Sequence, residues 1–526
     1  MLCWDSKNFI TLLLEIIMPK LTLSMIVKNE EKFLRDCLIS VKDLVDEIVV
    51  VDTGSSDNTI KIAEEYGAKT YHFEWINDFA AARNFALEKS TGDWILYLDA
   101  DERLDQNSIP ELKKIINSNE RLACYCTVKS YDSEGSRDNS LQYPRLFSNS
   151  TGIKFTGKVH EQIEPSLLQN KYRVADTNIL IHHLGYDITK DEKNKKARRN
   201  LSILLEEYNR QKTSYGAFQI AQSYNVLDEK ENASKYFKIA GDSPDLDKTL
   251  RAQCFASLAM IAHNHQNTGE AENYIQLSIK LDDRQPFPHL LSSKIALRRG
   301  DRQAAEIRCR AAYQMNKNIL AGKEKSKLII ILDSEEVIYF GLTLSLQSDN
   351  AANAGFYHKE LTAFYSRKEC AEGTLRLMVI NKLFNNTSLT QDEEKIFSKM
   401  ANKHTINLLL NLISSNPDKQ QIIRLAIDLQ KKFPDDIEIK KTVAKLFSES
   451  GRVDEAIQLL ELAVEKKQHD PAVLFYLISF YLKTGTHEKI KTLMGILETN
   501  FSHIPEVLEK VQILRSKLQM LGNVPL

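Results

Sequence analysis

Trp94-Ile95-Leu96-Tyr97-Leu98-Asp99-Ala100-Asp101 decides how this chain is read. Five large apolar residues in succession predict a strand buried on both faces. The run closes on two carboxylates one residue apart, which places both at the C-terminal edge of a sheet. Open α/β sheets gather nucleotide phosphates and hard divalent ions at that edge. A lone Asp-x-Asp is weak, but a second junction of the same kind precedes it. Ile48-Val49-Val50-Val51 runs into Asp52-Thr53-Gly54-Ser55-Ser56-Asp57. Together they point to a site for a nucleoside-diphosphate sugar.

Outward from these junctions, short apolar runs alternate with helix-like segments from Leu21 to about Tyr186. Strands are predicted at Leu21–Val27, Glu47–Val51, Lys69–Phe73 and Trp94–Leu98, and helices at Glu30–Val41, Thr59–Tyr66 and Phe79–Lys89. Such alternation predicts a Rossmann-like, mostly parallel α/β sheet covered on both faces. After Asp101 come Ala123–Lys129, Gln142–Phe147 and Ile179–His182, strand-like runs without long helices between them. They predict an antiparallel addition at the sheet edge, where an acceptor would dock.

From the charged stretch Lys190–Arg199 onward the pattern is helical. Small residues recur at fixed offsets (Ala221, Ala233 and Ala240, then Ala259, Ala271 and Ser278), and Gly451 precedes Gly485 by 34 residues. That period predicts tetratricopeptide-like pairs of antiparallel helices, an all-α C-terminal region. The organisation read from the sequence is an extension over 1–18, an α/β domain over 19–190 and repeats over 191–315. Degenerate helical hairpins follow over 316–420, then repeats over 421–526.

Composition narrows the partners. The 526 residues hold 70 Lys plus Arg against 71 Asp plus Glu, a formal charge of −1. That balance argues against nucleic acid or an anionic membrane as the partner. The seven cysteines are scattered, and Cys124 and Cys126 lack zinc-ligand spacing. Free thiols in a reducing cytoplasm are the expectation. Phe9–Met18 is apolar apart from Thr11 and Glu15, too short for the ~20 residues of a membrane span and a poor signal peptide. It reads as a peripheral extension, with an amphipathic membrane anchor as the alternative.

Several side chains carry candidate chemistry, each beside a plain structural reading. Asp52 can accept from a nucleobase or ribose, or simply cap its turn. Glu30 has the same pair of readings, the plain one being a solvated acid at a helix start. Asp99 and Asp101 share a side of an extended chain, so one ion can meet Asp101 while Asp99 holds the sugar or ribose. Arg83 can fork onto a phosphate or pair with a surface acid. In Phe155-Thr156-Gly157-Lys158-Val159-His160-Glu161, either His160 or Glu161 can serve as the base opposite a leaving group. They also suit an exposed hairpin. His182-His183 can complete a metal shell beside Asp101 or sit as satisfied core histidines.

With these residues assembled, Leu21–Tyr186 resembles a family 2 glycosyltransferase of the GT-A fold. The matching motifs begin with Ser24-Met25-Ile26-Val27-Lys28-Asn29-Glu30 and Val51-Asp52-Thr53-Gly54-Ser55-Ser56-Asp57-Asn58-Thr59. Asp78-Phe79-Ala80-Ala81-Ala82-Arg83-Asn84 and Leu98-Asp99-Ala100-Asp101-Glu102 follow. Pro144-Arg145-Leu146-Phe147, Val159-His160-Glu161 and His183-Leu184-Gly185-Tyr186 are similar to a bacterial subgroup of S- and O-glycosyltransferases. That subgroup acts on peptides, bacteriocins and flagellin, and some members carry tetratricopeptide repeats.

The resemblance implies a metal-dependent, inverting transfer of glucose or N-acetylglucosamine from a UDP-sugar to a protein or peptide, using Mn²⁺ or Mg²⁺. Glu30 and Asp52 would contact the uridine, with Arg83 near the nucleotide and Asp99 and Asp101 as the Asp-x-Asp pair. Asp101 and His183 would hold the metal. Glu161 would be the base, with His160 as its rival. A polysaccharide or lipid-linked acceptor and a non-catalytic repeat scaffold are the competing expectations. The oligomeric state is left open, a homo-oligomer included.

Overall fold

Strand β1 (Leu21–Val27) is buried almost throughout and lies in the interior of the sheet. The computed structural model describes residues 18–118, 120–130, 139–184, 190–324, 328–368, 371–402, 405–414, 416–466, 470–502 and 504–520. Most of the predicted 1–18 extension, and Gly185-Tyr186 of the last motif, lie outside the described residues.

After β1 come α1 (Leu34–Val41), β2 (Glu47–Asp52), α2 (Thr59–Glu65), β3 (Lys69–His72), α3 (Phe79–Lys89) and β4 (Trp94–Tyr97). Helix α1 buries Leu34, Cys37, Leu38 and Val41, a one-sided stripe at helical spacing that fastens it to the sheet. Helix α3 opens on Asp78, whose carboxylate accepts the Ala81 N–H at 2.9 Å. Then follow β5 (Glu102–Leu104), α4 (Ile109–Ile116), β6 (Leu122–Ser130), β7 (Asn139–Ser148), α5 (Glu164–Gln169) and β8 (Arg173–His183).

The strands run in the order β3-β2-β1-β4-β7-β6-β8-β5. The first four are parallel, so the loops after β1, β2 and β4 meet at one edge. This is the α/β half expected of the GT-A fold. The added half differs from expectation in one respect. Strand β7 is antiparallel to β4 and β6, but β8 runs parallel to β6 and its other side takes β5 antiparallel. The added part is therefore mixed, and β8 is interior to the sheet.

The helical region begins with α6 (Lys190–Arg210), α7 (Ser214–Val226), α8 (Lys230–Asp242), α9 (Lys248–Asn264), α10 (Thr268–Leu281), α11 (Pro286–Arg298) and α12 (Arg302–Leu320). The small residues singled out at helix crossings are sealed: Ala221, Ala233, Ala240, Ala259, Ala271 and Ser278 are each 0 % exposed. A short strand, β9 (Leu328–Ile330), then returns to the sheet and pairs with Asn139–Leu141 of β7. Nothing in its sequence announced that pairing.

From α13 (Ser334–Gln347) to α23 (Pro505–Met520) the described residues are helical. Gly451 and Gly485 follow helix ends with φ of 81° and 75°, a left-handed conformation that glycine adopts without strain. The chain divides into two compact units, Met1–Val337 and Ile338–Leu526. Among the described residues no helix is long and apolar enough to cross a membrane.

Candidate active site

The site grows from two cross-linked loops at the parallel edge. Asn29, at φ 56°, donates its N–H to Ser55 Oγ at 2.9 Å and accepts the Ser56 N–H at 2.8 Å. The Glu30 N–H donates to Thr59 Oγ1 at 2.7 Å. The Asp52 carboxylate accepts the N–H groups of Gly54 at 3.1 Å and Ser55 at 3.0 Å, so it caps its own turn. Gly54 sits at φ 105°, which suits glycine there. Burial and the neighbouring Asp101 push the Glu30 carboxyl up to about 7, with the Lys196 ammonium pulling the other way.

The two aspartates diverge. Strand β4 ends at Tyr97, and the chain turns so that the Glu102 N–H reaches the Asp99 carbonyl at 3.0 Å. Period-two alternation therefore stops short of them, and they do not share a side as an extended chain would require. Asp99 meets Arg83 Nη2 at 2.5 Å and Arg145 Nη2 at 3.4 Å. Against burial, these two guanidiniums hold its carboxyl well below the usual carboxylate range. Asp101 instead faces His183, with Oδ2 3.2 Å from Nε2, while His183 Nδ1 lies 3.0 Å from Ser130 Oγ. Burial disfavours the charged His183 ring, but the Asp101 carboxylate and its acidic neighbours raise its pKa above the ordinary value.

Strand pairing explains that contact. In β8, His183 stands opposite Glu102 of β5 and His182 opposite Arg103. Successive side chains leave a strand on opposite faces. His182 accordingly turns to Asp105, 3.0 Å from its Oδ2.

Arg83 is 6 % exposed and carries the link to the far side of the site. Its Nε donates to Glu161 while its Nη2 donates to Asp99. Asn84, next along α3, exchanges two hydrogen bonds with the Phe155 backbone at 2.7 and 3.0 Å. Thr156 and Gln162 close the loop with paired backbone bonds of 2.9 and 2.8 Å. Glu161 is thus presented from a pinned hairpin. His160 beside it is exposed and adopts φ 53°.

Arg145 carries no role in the sequence reading, although its motif was singled out. It is 6 % exposed, bonds Glu102 Oε1 at 2.6 Å and stacks 4.4 Å from the Tyr97 ring centre. Burial pushes the Glu102 carboxyl up to about 7 despite that arginine. A cation inside the strand-like run Gln142–Phe147 is the signal that would have found it, because buried arginines are kept by partners. Glu161, Arg83, Asp99, Arg145 and Glu102 form one chain of alternating charge.

Among the described residues no group of three or more His, Cys, Asp and Glu is placed to hold a metal ion. Asp101 and His183 form a pair of candidate donors.

Residues 22–182 match the family model described as glycosyl transferase family 2. A TPR repeat-containing protein of Synechococcus elongatus is 42 % identical over 175 residues, covering 32 % of this chain and 43 % of that protein. The SPbeta prophage-derived glycosyltransferase SunS of Bacillus subtilis is 31 % identical over 224 residues, 42 % of this chain and 53 % of that one. The chain thus spans about half the length of these curated relatives. Among solved structures, S. aureus TarS 1-349 in complex with UDP-GlcNAc is similar at 15 % identity, covering 58 % of this chain and 93 % of that one with a TM-score of 0.27. The segment of this chain that matches the glycosyl transferase family 2 model, residues 22–182, is the one that carries strands β1 to β8.

Proposed function

We infer that the protein transfers a sugar of glucose or N-acetylglucosamine type from a UDP-sugar to a protein or peptide acceptor, with inversion. The observation that carries this is the Arg83 bridge, which ties Asp99 at the strand edge to Glu161 across the site. A displacement at a sugar carbon needs a leaving-group side and a base side held at fixed separation.

Uridine would lie on the cross-linked loops, beside Glu30 and Asp52. Asp101, with His183 beside it, would hold the divalent cation. Mg²⁺ is commonly held by one or two carboxylates, with substrate phosphates and water supplying the rest, so Asp101 is the stronger donor of the two and His183 the weaker. Held there, such an ion would supply positive charge to the departing diphosphate. Asp99, locked by two arginines, keeps the edge rigid and leaves its remaining acceptor capacity for a sugar or ribose hydroxyl. The acceptor oxygen or sulfur attacks the anomeric carbon, the bond to UDP breaks, and the acceptor proton passes to Glu161. His160 is the alternative proton acceptor. The helical region would hold the acceptor, since stacked hairpins make long surfaces suited to extended chains. A cytoplasmic setting fits the scattered, buried thiols.

The test is release of UDP from UDP-glucose and UDP-N-acetylglucosamine in the presence of Mn²⁺. Asp101→Ala should abolish the release, and equal turnover in that variant would overturn the metal site. Wild-type protein that turns over neither donor and binds no UDP would overturn the whole reading.

A further inference from the structure

Strand β8 is paired with β6 on one side and with β5 on the other. In the first ladder His183 stands opposite Ser130, and in the second it stands opposite Glu102, the residue after Asp101. The side chains follow that register. His183 Nδ1 lies 3.0 Å from Ser130 Oγ, and its Nε2 lies 3.2 Å from Asp101 Oδ2. Both ring nitrogens are thereby engaged, one from each neighbouring strand region.

Ser130 is 5 % exposed and ends β6. Alternation puts it on the same face as Cys124, Cys126 and Val128, which are buried in the core of the sheet. The position therefore calls for an apolar residue, and a buried hydroxyl there costs free energy unless it is hydrogen-bonded. The His183 ring is what it meets.

A hydroxyl is the right partner for a ring that must change tautomer. A carboxylate only accepts hydrogen bonds. Without an ion, Asp101 therefore faces Nε2–H, and in the neutral ring Nδ1 accepts from the Ser130 hydroxyl. A divalent cation between Asp101 and His183 requires the Nε2 lone pair instead. The hydrogen then belongs on Nδ1, and Ser130 Oγ accepts it. The ring carries one hydrogen in both states, and a hydroxyl serves both by rotating, whereas a carbonyl would serve the second alone. Imidazoles that ligate metals are oriented by such a partner on their other nitrogen.

We propose that Ser130 is a positioning residue for His183, which holds the ring towards Asp101 and turns from donor to acceptor when a divalent cation takes the Nε2 lone pair. This rests on the metal-dependent UDP-sugar reading above.

Mn²⁺ binding to the full chain in the presence of UDP, followed by electron paramagnetic resonance, tests it. In wild type the pulsed spectrum should show nitrogen coupling from a bound imidazole, and His183→Ala should lose it. Ser130→Ala should weaken Mn²⁺ about ten-fold or more, and Ser130→Thr, which keeps the hydroxyl, should restore most of the loss. His182→Ala, whose native ring turns to Asp105, should bind Mn²⁺ as wild type does. Unchanged Mn²⁺ affinity in Ser130→Ala overturns the proposal and leaves the transferase reading intact. A loss that Ser130→Thr does not restore also overturns it, because that loss traces to packing and not to the hydroxyl. Mn²⁺ bound by wild type without nitrogen coupling takes His183 off the ion and overturns the proposal, while Asp101 keeps its place. Wild-type protein that binds neither Mn²⁺ nor UDP overturns both readings at once.

Discussion

Asp99 and Asp101 stand two residues apart and take opposite kinds of partner. Asp99 is clamped between two buried guanidiniums, whereas Asp101 faces an imidazole and the acidic mouth. Glu30 joins that mouth, and its proton affinity gives a prediction. Its carboxyl rises from the ordinary 4.5 to about 7 on folding, through burial and then Asp101. The folded state therefore binds this proton more tightly than the unfolded one. The resulting stability is fully present below pH 4.5 and is lost as pH climbs through 7. Glu30→Gln should flatten that part of the profile, measured as the difference in denaturation midpoints between variant and parent from pH 4.5 to 8 in metal-free buffer. Parallel profiles would show that Glu30 titrates normally. The side chains of the site were legible as types, because Asp, Glu, His and Arg at strand ends have few other uses there. Their partners were less legible. Asp52 caps its own turn, as one of the two sequence readings held, and the facing of His183 rather than His182 towards Asp101 depends on pairing with β5. Pairing between distant strands leaves no local trace in either segment.

Elements were legible in proportion to how local their causes are. Strands β1 to β4 and helices α1 to α3 announce themselves through apolar runs, helical stripes and capping residues, and their observed ends lie within a few residues of those read. Helix α1 starts at Leu34 rather than Glu30, since the chain first spends Asn29 and Glu30 on cross-links to the loop after β2. The parallel β6–β8 pairing and strand β9 were not legible, because each depends on residues tens of positions away. Close approach of elements makes one small residue decisive. Gly92, entering β4, has no room for a side chain. A Cβ there would lie 2.6 Å from Thr22 Oγ1 and 2.8 Å from the Lys20 carbonyl oxygen. Two of the three nearest atoms are backbone of the segment leading into and beginning β1, which cannot rotate away. Gly92→Ala should therefore destabilise the sheet unit by about 1–3 kcal/mol through overpacking. Chemical denaturation followed by tryptophan fluorescence reads this directly, since Trp94 is 2 % exposed in the adjoining strand. An unchanged midpoint would mean that β1 and β4 shift apart freely at this end.

For the whole molecule, composition and periodicity placed a boundary near residue 190, where strand-helix alternation gives way to helices. Packing draws it elsewhere. The sheet and helices α6 to α12 lie in one compact unit that extends to Val337. Two contacts far apart in sequence account for this. Helix α6 covers Val159 and Phe79, and β9 pairs with β7 although helices α5 to α12 lie between them in the chain. Gln285 and Asn316 secure that return, through Gln285 Nε2 to the Leu328 carbonyl at 2.8 Å and Asn316 Nδ2 to the Leu332 carbonyl at 2.9 Å. A change of periodicity marks where the pattern changes, and a cooperative unit ends where burial ends. Chains cut at the two positions should therefore behave differently. Residues 1–337 should unfold in one cooperative transition and keep the UDP affinity of the full chain. Residues 1–190 lose the cover of Leu201, Ile203 and Leu204, each worth about 1.5–3 kcal/mol of burial, together with the β9 ladder. That shorter chain should aggregate or melt well below 1–337 in calorimetry and bind UDP weakly or not at all. If it folds as stably as the longer chain and binds UDP equally well, the helices are an appendage to a self-sufficient sheet domain.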